Sequence, residues 1–168
     1  MKKSAGIAIR SWVLALCLLV SAAGTVYGEE YAALKGLKSV KAVFSFEIGN
    51  SQSALVHLQV IHQTFQDKNF RMGSKKPELV VVFYGPSVKL ASKNREGFTA
   101  ADQKTLDEYA RTVSAMAGDG VKFEICRIAM KFAGVEPASL LPEIKPVGNG
   151  WISVIGYQAK GYSLVPVK

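Results

Sequence analysis

Strand-like and helix-like segments alternate along residues 41–168, and that order predicts an α/β layered domain around a mainly parallel sheet. Two local features support this. Glu78 to Tyr84 contains the uninterrupted apolar run Leu79-Val80-Val81-Val82-Phe83, the mark of a strand covered on both faces and therefore central in its sheet. The run closes on Gly85-Pro86, a turn signal that puts its loop at the carboxyl edge, where open α/β sheets bind their ligands.

The elements follow in order. Lys2, Lys3 and Arg10 precede and flank a short apolar core from Trp12 to Val20, and Val26-Tyr27-Gly28 supplies signal-peptidase spacing before Glu29. Residues 1–28 thus read as an export signal, because the apolar run is well short of the ~20 residues a bilayer span needs. The expected location is periplasmic or secreted, with no membrane span after cleavage. Lipidation at Cys17 is a rival, opposed by Leu16 where a small residue is expected. Residues 29–40 form a helical or irregular lead-in to a single domain over 41–168. Lys41 to Ile48 is a strand rich in Val43, Phe44 and Phe46. Asn50 or Ser51 caps a helix from about Ser53 to Gln66, whose stripe Ala54, Leu58, Ile61 and Phe65 faces the core. Thr99 and Asp102 make a capping box for a helix over Ala100 to Ala117, with Leu106, Tyr109, Ala110, Val113 and Met116 inward. Val121 to Cys126 alternates as a half-covered strand, and Arg127 to Ala133 reads as helix. A helical turn over Pro137 to Leu141, a short strand over Ile144 to Val147, a Gly148-Asn149-Gly150 loop and a helix over 151–160 come next. Tyr162 to Val167 is the last strand, at an edge because Pro166 lacks a donor.

Composition excludes several classes. The formal charge is +8 and falls to +5 once Lys2, Lys3 and Arg10 are set aside. The remaining basic residues are scattered, with only Lys75-Lys76 adjacent, so no nucleic-acid surface is expected. No glycine-rich phosphate loop is present, so nucleotide cofactors have no anchor. His57 and His62 lie five apart on one helix, about 140° around its axis, whereas a metal pair wants neighbouring turns. Neither a metal nor another cofactor is expected.

Cys126 survives this elimination. After leader removal it is the only thiol, so no internal disulfide can form. It stands where a strand hands over to a helix, whose unpaired amides favour a thiolate, as would Arg127 beside it. Core packing is the competing account, since free cysteine is among the most buried residue types. Both readings stand on the residues alone.

Four segments in order resemble the DsrE/DsrF-like family: Val81-Val82-Phe83-Tyr84-Gly85-Pro86-Ser87-Val88-Lys89-Leu90, Gly120-Val121-Lys122-Phe123-Glu124-Ile125-Cys126, Pro137-Ala138-Ser139-Leu140-Leu141-Pro142 and Gln158-Ala159-Lys160-Gly161-Tyr162. The resemblance implies a three-layer α/β/α domain with about five strands, assembled into homo-oligomers. It also implies sulfur handling, in which a cysteine after a strand carries a persulfide to or from a partner protein. Cys126 falls at that position, Gly85 lies in the loop beside it, and Ser87 and Asn50 are further binding candidates with Arg127. The export signal distinguishes this chain from the characterised cytoplasmic relatives.

Two functions therefore stand. One is an exported thiol protein exchanging sulfur through Cys126 with a donor or acceptor protein. The other is a binding or assembly module in which Cys126 is structural and Trp151, Ile152, Val154, Ile155 and Tyr157 form a subunit interface.

Overall fold

Alternating and continuous apolar runs become strands, and each of the first four hands over to a helix. The computed structural model describes residues 31–71 and 77–168; the leader over 1–28, with Cys17, and the Lys75-Lys76 pair lie outside the described residues. Residues Ala33–Lys168 form one unit. Its elements are β1 (Lys41–Phe46), α1 (Ser51–Gln66), β2 (Glu78–Phe83), a 3-10 turn (Gly85–Lys89), α2 (Ala100–Asp119), β3 (Lys122–Cys126), α3 (Arg127–Ala133), a 3-10 turn (Pro137–Ser139), β4 (Ile144–Val147), α4 (Gly150–Ala159) and β5 (Ser163–Val167).

Local chemistry sets the helix ends. The Asn50 side chain accepts from the Ser53 amide at 2.9 Å, so α1 starts at Ser51, two residues before the expected Ser53. Thr99 and Asp102 form the predicted capping box of α2. That helix runs through Gly118 to Asp119, two residues past the expected end, and stops only at Gly120, whose φ of 107° is left-handed.

All five strands are parallel, in the order β4-β3-β2-β1-β5. One row of register partners runs Ile144, Phe123, Val81, Phe44, Val165 across the sheet, and β2 lies at its centre as its apolar run required. Pro166 sits on edge strand β5.

The two faces are unequal. Phe44, Phe46, Val81, Phe83, Phe123 and Ile125 pack with Leu58, Phe65, Tyr109, Met116 and Met130, which assigns α1, α2 and α3 to one face. Val43, Val80 and Val82 pack with Val154 and Tyr162 on the other, where α4 is the covering helix. The result is a three-layer α/β/α domain with its larger core under α1 to α3. Chain direction explains the imbalance. Strands β1 to β4 step one way across the sheet, so parallel right-handed crossovers put their helices on one side; the step from β4 back to β5 reverses, and α4 crosses on the other.

Candidate functional site

That reversal creates a crevice. The loop after β3 leads to α3 on one face and the loop after β4 leads to α4 on the other, so the carboxyl ends of β3 and β4 flank a topological switch point. Cys126 is the last residue of β3, the register partner of Val147, and the N-cap of α3. Its side chain makes no capping bond. The first-turn amides of α3 therefore receive nothing from the sulfur, and an anion at that position would meet their partial positive charge. Arg127 opens α3 and is exposed.

The thiol itself is covered. Cys126 is 6% exposed. Gly150, the first residue of α4, presses on it: a Cβ there would stand 3.0 Å from Cys126 Cβ and 3.5 Å from Tyr84 Cδ1 and Val82 Cγ1. An alanine there would require Cys126 or α4 to give way by a few tenths of an ångström. Asn149 caps that helix, its side-chain oxygen accepting from the Trp151 amide at 2.9 Å.

The remaining sequence-predicted residues take different places. Ser87 is fully buried, and its hydroxyl is shared between the carbonyls of Phe46 at 2.8 Å and Tyr84 at 2.9 Å. That commits the hydroxyl to tying the ends of β1 and β2 together. Asn50 is exposed and commits its side-chain oxygen to the α1 cap. Gly85 adopts φ 59°, and a Cβ there would meet only Glu47 Cγ, at 4.0 Å. Its predecessor Tyr84 is the residue that reaches the Cys126 crevice. Burial pushes the Tyr84 phenol above its ordinary range, and Glu47 adds to that against the opposing bond from Ser45.

Sequence reasoning missed a second constellation, on the same face as Cys126. Glu124, two residues earlier on β3, accepts from the Ser153 hydroxyl and from the Tyr157 hydroxyl, the latter at 2.8 Å. Burial, then the bond to Glu124, pushes the Tyr157 phenol well up. The signal was the alternation of β3, which puts Glu124 and Cys126 on one face.

Other clefts lie away from the thiol. A cavity of about 260 Å³ lies among Lys89, Ser92, Phe98, Val135 and Ser139, and one of about 230 Å³ among Phe65, Leu79, Asp119 and Tyr162. Among the described residues no cluster of three His, Cys, Asp or Glu side chains could hold a metal. None of their helices is long and apolar enough to cross a membrane. His57 Nδ1 donates to the Ser53 carbonyl at 2.7 Å, and His62 Nε2 lies 2.7 Å from Asp119 Oδ2.

Comparison with known proteins agrees with this architecture. An uncharacterised protein of Aquifex aeolicus is 24% identical over 130 residues, which take in 76% of this chain and 56% of that protein. This chain thus spans little more than half the length of that curated relative. The solved structure of a protein of unknown function from Methanobacterium thermoautotrophicum superposes with a TM-score of 0.59 at 19% identity, covering 76% of this chain and 98% of that one. The model of the DsrE/DsrF-like family matches residues 29–167. With nearly the whole of its five-stranded domain inside that match, the chain belongs to the DsrE/DsrF-like family.

Proposed function

We propose that this chain is an exported sulfur carrier that uses Cys126. One observation carries the reading: the cysteine stands at the switch point, on the N-cap of α3, with its sulfur uncommitted to capping. In the proposed step the Cys126 thiolate attacks the outer sulfur of a donor persulfide. A Cys126–sulfur bond forms, the donor's sulfur–sulfur bond breaks, and the donor leaves as its thiolate. Attack by an acceptor thiolate on the terminal sulfur reverses the exchange and regenerates Cys126, so no external oxidant or reductant is needed.

The test is intact mass after incubation of the reduced protein with glutathione persulfide. Wild type gains one sulfur atom, released by dithiothreitol, and Cys126→Ser gains none. Serine is a good N-cap, so the variant is expected to fold. A wild-type protein that never gains sulfur overturns the reading. Recovery of the chain outside the inner membrane with Glu29 at its N-terminus tests the export.

A second reading has its own observation. Cys126 is covered, while Trp151, Ile152 and Ile155 on α4 are each about two-thirds exposed, at 67%, 68% and 64%. Under it the domain is an assembly module, α4 is the contact with a second copy, and Cys126 fills the crevice.

A further inference from the structure

The same helix that seals Cys126 is held to the sheet in an unusual way. Its inward residues are Gly150, Ser153, Val154 and Tyr157, spaced i, i+3, i+4 and i+7, and it runs antiparallel to β3 with Gly150 over Cys126 and Ser153 and Tyr157 over Glu124. Val154 is the one apolar side chain it buries almost fully, at 8% exposure, and the half-buried Tyr157 ring packs edge-on to Tyr162 with centroids 5.0 Å apart. To that packing are added the two hydrogen bonds that converge on the Glu124 carboxylate. A ten-residue helix that buries only Gly150 and Val154 belongs toward the low-stability end of local opening equilibria.

We infer that α4 is a detachable cover over Cys126 and that Glu124 is its latch, a positioning residue that sets how often the thiol meets solvent. This deepens the sulfur-carrier reading and rests on it for its biological meaning. Lifting the amino-terminal end of α4 removes Gly150 from Cys126 without disturbing the larger core under α1 to α3, so the thiol can open to a donor while the domain stays folded.

The test is the rate of iodoacetamide alkylation of Cys126, followed on its own peptide so that Cys17 does not contribute, in the native protein recovered after export, with amide exchange across residues 150–159 measured in parallel. Glu124→Ala loses both bonds, and alkylation is expected to quicken about tenfold or more, with faster exchange confined to α4. Glu124→Gln keeps an acceptor for Tyr157 and a polar partner for Ser153, so its rate should remain near wild type. Tyr157→Phe, which removes one bond and leaves the carboxylate, should fall between. Val113→Ala, in the other core, supplies a variant destabilised globally. The inference is overturned if Glu124→Ala alkylates at the wild-type rate or if it quickens only as its global stability loss predicts from Val113→Ala. Equal acceleration in Glu124→Gln and Glu124→Ala also overturns it, because charge and not latching would then be the cause. Should Glu124→Ala not fold, an unchanged rate in Tyr157→Phe decides against the latch. None of these readouts requires sulfur loading, so failure of the carrier reading and failure of the latch are separately visible.

Discussion

A methyl group added at Gly150 would crowd Cys126 Cβ at 3.0 Å, with Tyr84 and Val82 already in contact at 3.5 Å. Gly150→Ala should cost about 1–3 kcal/mol through overpacking. Gly156, on the same helix but with nothing within 4 Å of its added Cβ, should gain roughly 0.5–1 kcal/mol as alanine. Urea unfolding of the two variants checks the contrast; equal effects would mean that the crevice yields freely. Tyr109 poses the opposite problem. Its hydroxyl is buried with no hydrogen-bond partner among the described residues, and its ring packs 6.4 Å from that of Phe83. Tyr109→Phe keeps the packing and removes the orphan group, so stability should be unchanged or rise by about 1–2 kcal/mol. A loss above about 1 kcal/mol in the same unfolding assay would count against this. Legibility at this scale follows the range of the partner. Asn50 was readable as a cap because it bonds Ser53 three residues on. Ser87 was not readable as a tie, because its acceptor Phe46 lies 41 residues earlier and only the sheet brings them together.

Helices α1 and α2 were legible because each lays one apolar stripe on a fully covered face, and Ala54, Leu58, Ile61 and Phe65 are buried as their spacing required. Helix α4 inverts the pattern. Trp151, Ile152 and Ile155 point outward while Gly150, Ser153, Val154 and Tyr157 face the sheet, so hydrophobic spacing alone joins Val154 and Tyr157 to an outer surface they do not share. Three residues past the end of α4, polar chemistry anchors the chain again: the Tyr162 hydroxyl donates to Glu78 at 2.7 Å and Lys41 lies 3.0 Å from the same carboxylate. Burial, then the Glu78 bond, pushes the Tyr162 phenol up to about 12. The Tyr162 bond, then Lys41, holds Glu78 below its usual carboxylate range. The signs differ. The raised phenol contributes stability that is complete below its unfolded value of 10.0 and is lost as pH climbs toward about 12. The depressed carboxylate contributes stability present above its unfolded value of 4.5 and lost as pH falls through the folded value. Tyr162→Phe should therefore flatten the alkaline decline of the urea midpoint and weaken the acid one. A variant whose midpoints parallel wild type at both extremes would remove this anchor from the account.

Element order and the central position of β2 were legible at the scale of the molecule, whereas the position of β5 was not. Nothing local to Ser163–Val167 tells it to pair with β1, and that choice alone puts α4 by itself on the second face. The consequence is an outer surface of Trp151, Ile152 and Ile155 on a helix, Gly150–Ala159, that contains no charged residue. Two copies meeting through this face would bury the apolar side chains against each other without opposing like charges, although each full chain carries +8. Such a contact is isologous. Its dependence on salt is distinctive: screening weakens the repulsion between two net-positive chains and leaves the uncharged contact intact, so association should tighten as salt rises. Sedimentation across a salt series checks this, with Trp151→Glu and Ile155→Glu as variants. Both should be monomeric where wild type associates, since each drives a carboxylate into the apolar contact. Unchanged assembly in both variants, or association that weakens with salt, would move the interface off α4 and leave its exposed face without this role.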